Sequence, residues 1–452
     1  MLRTELRALF RLALPVAAAQ AGTQLMTVVD IAVLGRFSAR DLAAAGLANA
    51  FFFSVSVMGM GAVLGIDPLI SQALGAGDRV RAHRVLWQGV WLALIVTAVL
   101  TVPLLLAALL MPLAGVQEEL IEPARSYLLI RTAGLAPFLA FMVVRGYLQA
   151  RGLTRPMLVA MVVCNVFNLV GDIVLVFGGG ILPSWTGPLR QIPSLGASGA
   201  AVVTVLGSLI QLAIVAFAAR ERDISSFDVR RWNGRDIVRA FRVGWPVSLQ
   251  LGAEIGIFAL VGVLAARLGT LDLAAHQLVI GLASFTYTFS LGVAAAGSTR
   301  VGLTIGGGTM AGTRTAGHAA FIGGAAVMAI AAILFAVVPG PLARLITNKP
   351  EVIAAALPLF LVAAVFQLSD GIQAVGSGVL RGAGDTRYSF VANVIGHWAV
   401  GAPVALILGF TYRMGIVGLW WGLCAGLSVV AVLLFLRFQR LSAQPIAPIP
   451  HL

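Results

Sequence analysis

Two carboxylates stand where a carboxylate is costly. Glu254 and Asp370 each lie inside a long apolar run, the first eight residues beyond Pro246, the second within Phe366-Gln367-Leu368-Ser369-Asp370-Gly371. An acid at the centre of a membrane-spanning helix costs about 2.5–3.5 kcal/mol on insertion scales, and such residues mark ion or substrate pathways by default. The chemistry they offer is reversible capture of a proton or a small cation. Gln250 precedes Glu254 by four residues, and Gln367 and Gln373 flank Asp370 by three each, so each acid shares a helix face with amides. Asn393 and His397, four apart, give a similar polar face on a neighbouring run. Two acids sharing one cavity suit H+; carboxylate and amide oxygens together equally suit Na+ at Glu254 and Asp370. A purely structural reading of both acids is a hydrogen-bonded pair packed between helices.

The first half of the chain has its own acids. Asn165, Asn168 and Asp172 recur at i, i+3 and i+7, one stripe of a helix. Asp30 sits near the outer end of the first apolar run, six residues before Arg36, and pairing or snorkelling at a helix end is its structural alternative. Asp67, followed by Pro68, reads as part of a helix break. Among the aromatic residues, Phe53, Tyr287 and Phe289 are candidates to line a substrate cavity, with bundle packing as the alternative. Gly306-Gly307-Gly308 is not followed by Gly-Lys-Ser/Thr and is no phosphate cradle.

The elements that hold these residues follow from composition. The chain has 452 residues, 59% apolar and 11% charged, with mean hydropathy +0.97. Soluble domains carry about 25% charged residues, so a solvated exterior cannot be built. Runs such as 85–113 and 390–410 exceed the roughly 18 apolar residues that signal a spanning helix. The reading is an all-α polytopic membrane protein with twelve transmembrane helices, at 13–34, 42–74, 85–113, 125–149, 157–178, 197–219, 243–265, 273–304, 318–339, 353–379, 388–410 and 415–437. The polar segment 220–242 divides an N-terminal six-helix lobe, 1–219, from a C-terminal lobe, 243–452, that ends in a short tail.

The halves repeat. A shift of 231 residues places Pro15 on Pro246, Arg36 on Arg267, Asp41 on Asp272, Gly61 on Gly292 and Gly75 on Gly306. A shift of 232 places Gly146 on Gly378 and Thr154-Arg155 on Thr386-Arg387. An even number of spans per half makes the repeats parallel, as in some transporters. The net charge of +13 is topological: 22 of the 31 basic residues fall in alternate segments that begin with the N-terminus. By the positive-inside rule both termini are cytoplasmic, and nucleic acid is not an expected partner. Cys164 and Cys424 have no metal or disulfide spacing. The basic-then-apolar start reads as an uncleaved first helix, because the apolar run continues past Ala21.

With these residues in view, the sequence resembles the multidrug and toxic compound extrusion (MATE) family, closest to its bacterial NorM-like branch. The resemblance spans nearly the whole chain. It is carried by Leu14-Pro15, Val29-Asp30 with Gly35, and Asp67-Pro68-Leu69-Ile70-Ser71-Gln72-Ala73-Leu74-Gly75-Ala76-Gly77. It continues in Ala274-Ala275-His276-Gln277, Arg300-Val301-Gly302 and Leu380-Arg381-Gly382-Ala383-Gly384-Asp385.

The resemblance implies two parallel six-helix repeats around a central cavity, and export of organic cations and amphipathic toxins in exchange for Na+ or H+. The bacterial inner membrane is the expected location, with no cofactor beyond the coupling ion, and because the repeat makes each chain a complete two-lobed unit, a monomer is expected. Glu254 and Asp370 match second-half coupling acids of NorM-like members, and Asp30 matches a first-span acid used by others. Asp172 is a departure, since NorM-like members tend to carry asparagine there. Three alternatives stand beside this reading. A lipid-linked substrate flippase should show a basic lumen. A major-facilitator carrier should show Gly-x-x-x-Asp-x-x-Gly-Arg where Gly75-Ala76-Gly77-Asp78-Arg79 stands. A membrane-embedded enzyme needs an acid–base or metal set that is not seen. The charge distribution makes a direct prediction: green fluorescent protein fused to the C-terminus fluoresces in intact cells, whereas alkaline phosphatase fused there is inactive. The reverse pattern would invert the topology.

Overall fold

The computed structural model describes residues 1–220 and 227–449. Among these, twelve helices are long and apolar enough to cross a membrane, and there are no strands. They are α1 (Leu2–Phe37), α2 (Ala39–Gly75), α3 (Arg79–Ala114), α4 (Glu118–Ala150), α5 (Arg155–Phe177) and α6 (Gly196–Ala218) in the first half. The second half contributes α7 (Gly234–Leu268), α8 (Thr270–Gly306), α9 (Met310–Val337), α10 (Pro350–Gly382), α11 (Thr386–Thr411) and α12 (Gly415–Leu441). An all-helical answer is forced, because inside hydrocarbon every backbone N–H and C=O must be satisfied within its own segment.

Several helices run further than their apolar cores. α1 begins eleven residues before position 13 and α7 nine before position 243. The added turns are amphipathic and charged, which hydropathy alone trims away. At α7 the start is set by Asn233, whose Oδ1 accepts from the Arg235 amide at 3.1 Å while its Nδ2 donates to Asp236 at 2.9 Å, the work of an N-cap residue. Of the segment 220–242 expected to connect the halves, residues 221–226 lie outside the described residues. Phe227–Arg230 is a short helix, and α7 takes up the rest from Gly234.

Three spans are interrupted where proline and glycine dictate. α2 breaks between Leu64 and Ile66, where the Pro68 ring would meet the Leu64 carbonyl. α4 breaks at Gly134, three residues before Pro137. In α11, Ile395–Gly401 forms widened turns in which the Ala402 amide bonds the His397 carbonyl, five residues back. Pro403 follows at once, and widened turns of this kind recur at functional sites.

The described residues gather into two compact units. One comprises Met1–Ala18, Asp67–Ala82 and Arg242–Leu452; the other comprises Ala19–Ile66 and His83–Phe241. The first turns of α1 and the last of α2 thus belong with the second-half helices. Glu5 accepts two bonds from Arg300 on α8, both at 2.7 Å, a bidentate pair of the strong kind. At the end of α2, a Cβ on Gly75 would collide with the Leu303 backbone, and one on Gly306 with the Gln72 backbone. Ser71 packs on Gly302 in the same crossing.

Under the 231-residue shift, 71, 72 and 75 become 302, 303 and 306, so this contact is its own image, as in a two-fold interface. The duplicated sequence meets itself there, with glycine allowing backbone to touch backbone. Gly306→Leu is expected to lower the thermal unfolding midpoint of the purified protein by about 5 °C or more, because overpacking a closed contact costs about 1–3 kcal/mol or more. Gly46→Leu, where nothing lies within 4 Å, is the control and should leave it unchanged.

Candidate functional site

The second-half acids lie in one buried cluster. α7 carries Glu254, which is 8% exposed, and α10 carries Asp370, which is 4% exposed. The Tyr287 hydroxyl on α8 donates to Glu254 Oε1 at 3.2 Å. Gln373, one turn beyond Asp370, donates from Nε2 to Glu254 Oε2 at 3.3 Å and to Asn393 Oδ1 on α11 at 3.2 Å. Asn393 in turn donates to the Ser389 carbonyl at 2.9 Å. Asp370 faces Glu254 electrostatically, and no hydrogen bond from a described residue reaches its carboxylate. Four helices therefore converge on two acids with neutral donors around them.

The remaining amides frame this cluster. Gln250, one turn before Glu254, donates to Ser377 Oγ at 2.9 Å. Gln367 donates to Thr286 Oγ1 at 2.6 Å and leaves its own oxygen buried without a partner. His397 is fully buried in the widened turns of α11, and neither ring nitrogen has a partner among the described residues. Trp398 beside it donates to the Ala253 carbonyl at 3.1 Å and so ties α11 to α7 next to Glu254.

The first-half acids form a second, separate cluster. Asn168 on α5 donates from Nδ2 to Asp30 Oδ1 on α1 at 2.8 Å and to Asp172 Oδ2 at 3.3 Å. The two carboxyls also lie within hydrogen-bonding reach of each other, and Thr204 of α6 reaches Asp30. Asn168 and Asp172 are fully buried. Asn168 Oδ1 and Asp172 Oδ1 find no partner among the described residues, so the site holds unspent acceptors. Asn165 points elsewhere, donating to the Met161 carbonyl at 2.9 Å.

Not every expected residue joins these clusters. Tyr287 joins the second-half cluster through its hydroxyl. Phe289 stacks edge-on with Phe285, centroids 5.8 Å apart, and Phe53 is 56% exposed. The residues that sequence reasoning missed are Tyr127 and Arg131 on α4, Thr204 on α6, and Thr286 on α8. Tyr127 and Arg131 stand four apart inside an apolar run, a signal that the positive-inside count passed over.

A family profile described as MatE matches the chain twice, over residues 15–174 and 246–407. Those two stretches account for most of its length. The chain belongs to the MatE family. The matches begin 231 residues apart (15 and 246), the same shift that aligns the halves, so each half is a copy of the MatE unit. A protein of Rhizobium meliloti (strain 1021) described as "Probable multidrug resistance protein NorM" is 34% identical over 461 residues, covering 98% of this chain and 96% of that protein. One of the same description from Deinococcus radiodurans is 35% identical over 443 residues, covering 96% and 95%.

A crystal structure of MATE in complex with MaL6 matches with TM-score 0.87 at 20% identity, over 97% of this chain and 96% of that one. At that identity the likeness concerns the MatE fold. This MatE chain is a multi-pass membrane transporter whose two buried acid clusters each draw on several helices. Removing the Tyr287 hydroxyl should weaken the hold on Glu254. A double-mutant cycle with Tyr287→Phe and Glu254→Gln, read as unfolding free energy in mixed micelles, is expected to give a coupling of about 1–3 kcal/mol. A coupling near zero would remove Tyr287 from the cluster.

Proposed function

We propose that the protein is a secondary antiporter that exports organic cations or amphipathic toxic compounds in exchange for Na+ or H+, with Glu254 and Asp370 as its principal coupling pair. The observation that carries this is the second-half cluster: two buried acids served by a hydroxyl and an amide, in a family whose similar members are described as multidrug resistance proteins. Such a pair is costly when both carboxylates are ionised and unmatched. Loading a proton or Na+ removes that cost and favours one packing of the helices. A cationic substrate that makes its contacts in the other packing favours the other. Exchange follows, because a ligand shifts an equilibrium only by its differential affinity for the two states.

The lobes 1–219 and 243–452 are the natural moving bodies in this reading, save that Met1–Ala18 and Asp67–Ala82 gather with the second-half helices; the segment 220–242 connects the lobes in sequence. The membrane potential supplies about 2.3 kcal/mol per charge per 100 mV, enough to drive export. Gln250, Gln367, Asn393 and His397 are read as the polar surround of the second-half pair, and Asp30 with Asp172 as a second station in the first half. The chain is proposed to act as a monomer in a bacterial inner membrane with both termini in the cytoplasm.

Glu254→Gln and Asp370→Asn are expected to abolish ethidium efflux from cells, at least about tenfold in initial rate, while membrane abundance stays normal. Undiminished efflux by both variants would overturn the assignment of the coupling pair.

A further inference from the structure

The connection between the halves is fastened to α3. Gln88, fully buried, donates from Nε2 to the Arg231 carbonyl at 2.8 Å, and its Oε1 accepts from the Asn233 amide at 2.9 Å. One side-chain amide thus satisfies an acceptor and a donor on alternate residues, as a neighbouring strand would. Nearly one turn on, the Trp91 indole donates to the Arg230 carbonyl at 3.1 Å, and its ring meets the Trp232 ring edge-on with centroids 5.9 Å apart. The Arg230 guanidinium lies over the Trp87 ring, 5.1 Å from the centroid. All these residues belong to the compact unit that holds His83–Phe241. The 231-residue shift carries Gln88 onto Ala319 and Trp91 onto Ile322, so the fastening is no part of the repeat.

It presents exposed indoles beside exposed arginines. Trp232 is 52% exposed and Trp91 37%. Trp91 also begins the outward apolar face of α3, which continues at spacings of three and four through Ile95, Val99, Val102, Leu106 and Leu109, all exposed. From 91 to 110 the helix carries no charge, and about 20 such residues span the hydrocarbon. Both indoles therefore stand at one end of that stretch, the level at which membrane tryptophans sit. Arg231 and Arg235, on either side of Trp232 in the chain, are exposed. The nearby Asp236 is engaged by Arg239 at 3.6 Å and by Asn233 at 2.9 Å. Apolar rings at the water boundary with guanidiniums beside them are complementary to a lipid whose headgroup is negative, and a planar guanidinium matches its phosphate.

We propose that the end of α3 and the segment Arg231–Arg235 form a docking site for an anionic phospholipid, with Trp91 and Trp232 against the first carbons of its chains and Arg231 and Arg235 on its headgroup. Gln88 is a positioning residue: it touches no lipid and holds the backbone that carries Trp232 between the two arginines. Lipid held there ties the connection to the membrane surface as well as to α3. The site uses none of the buried acids and is independent of their part in transport.

The test is tryptophan fluorescence of the full-length protein in liposomes of phosphatidylcholine with a minority of phosphatidylglycerol, brominated near the top of the chains in one lipid or the other. The share of Trp232 is the difference between the unaltered protein and Trp232→Phe. Molecule for molecule, brominated phosphatidylglycerol is expected to quench that share about fivefold or more better than brominated phosphatidylcholine. Arg231→Gln with Arg235→Gln should bring the two lipids level, while quenching by phosphatidylcholine persists and shows that the indole keeps its place. Either single glutamine substitution should give an intermediate preference, and the paired lysine substitutions, which keep the charges, should retain most of it. Gln88→Leu should weaken quenching of Trp232 by both lipids; unchanged quenching there would remove Gln88 from the site. Equal quenching by the two lipids in the unaltered protein, a preference that survives in the double glutamine variant, or no quenching of Trp232 by either lipid would each overturn the proposal. So would loss of the preference on adding inorganic phosphate at constant ionic strength, which would assign the arginines to a soluble anion.

Discussion

A carboxylate inside hydrocarbon keeps its place only while donors meet it or a proton or cation covers it, and the irregularities of this bundle gather where that requirement falls. The widened turns of α11 contain His397 and start just beyond Asn393, the residue that joins Gln373 to the backbone. The break in α4 comes three residues after Arg131. Regular helices would present one stripe of side chains to their neighbours; interruptions let several helices turn polar groups toward the same point. Stability alone does not favour such an arrangement, because a well-packed apolar core would serve as well or better.

Duplication supplied the scaffold but not the chemistry. The crossing at Ser71, Gln72 and Gly75 with Gly302, Leu303 and Gly306 is symmetric under the repeat. The acids are not. The 231-residue shift carries Asp30 onto Val261 and Glu254 onto Thr23. The two halves therefore carry these acids at different positions of the repeat. In the first half Asn168 joins the two acids, and in the second the Tyr287 hydroxyl and the Gln373 amide serve Glu254.

Much of this was readable from residue types and spacing. Apolar runs gave twelve spans, the constant shift gave the duplication, and four-residue spacing put Gln250 with Glu254 and Asn393 with His397. Local spacing could not give the register between helices. Nothing in the sequence of its own helix says that the Tyr287 hydroxyl reaches Glu254 at 3.2 Å. Asp30 offered pairing with Arg36 as an alternative, yet its bond is to Asn168, 138 positions away. Helix ends were misplaced where charge and amphipathicity replace hydropathy, as at Leu2 and Gly234. Nor does spacing along the chain show that the Arg131 guanidinium stacks on the Phe52 ring of another helix, 4.3 Å from its centroid.

In the proposed cycle, cation movement through these acids drives substrate export. Its most direct test is ethidium movement in proteoliposomes of the purified protein, with a Na+ gradient and a pH gradient imposed separately. Movement against the dye gradient is expected under at least one of the two, abolished when that gradient is collapsed by an ionophore. Dye movement that is absent under both gradients, or identical with and without them, would contradict it.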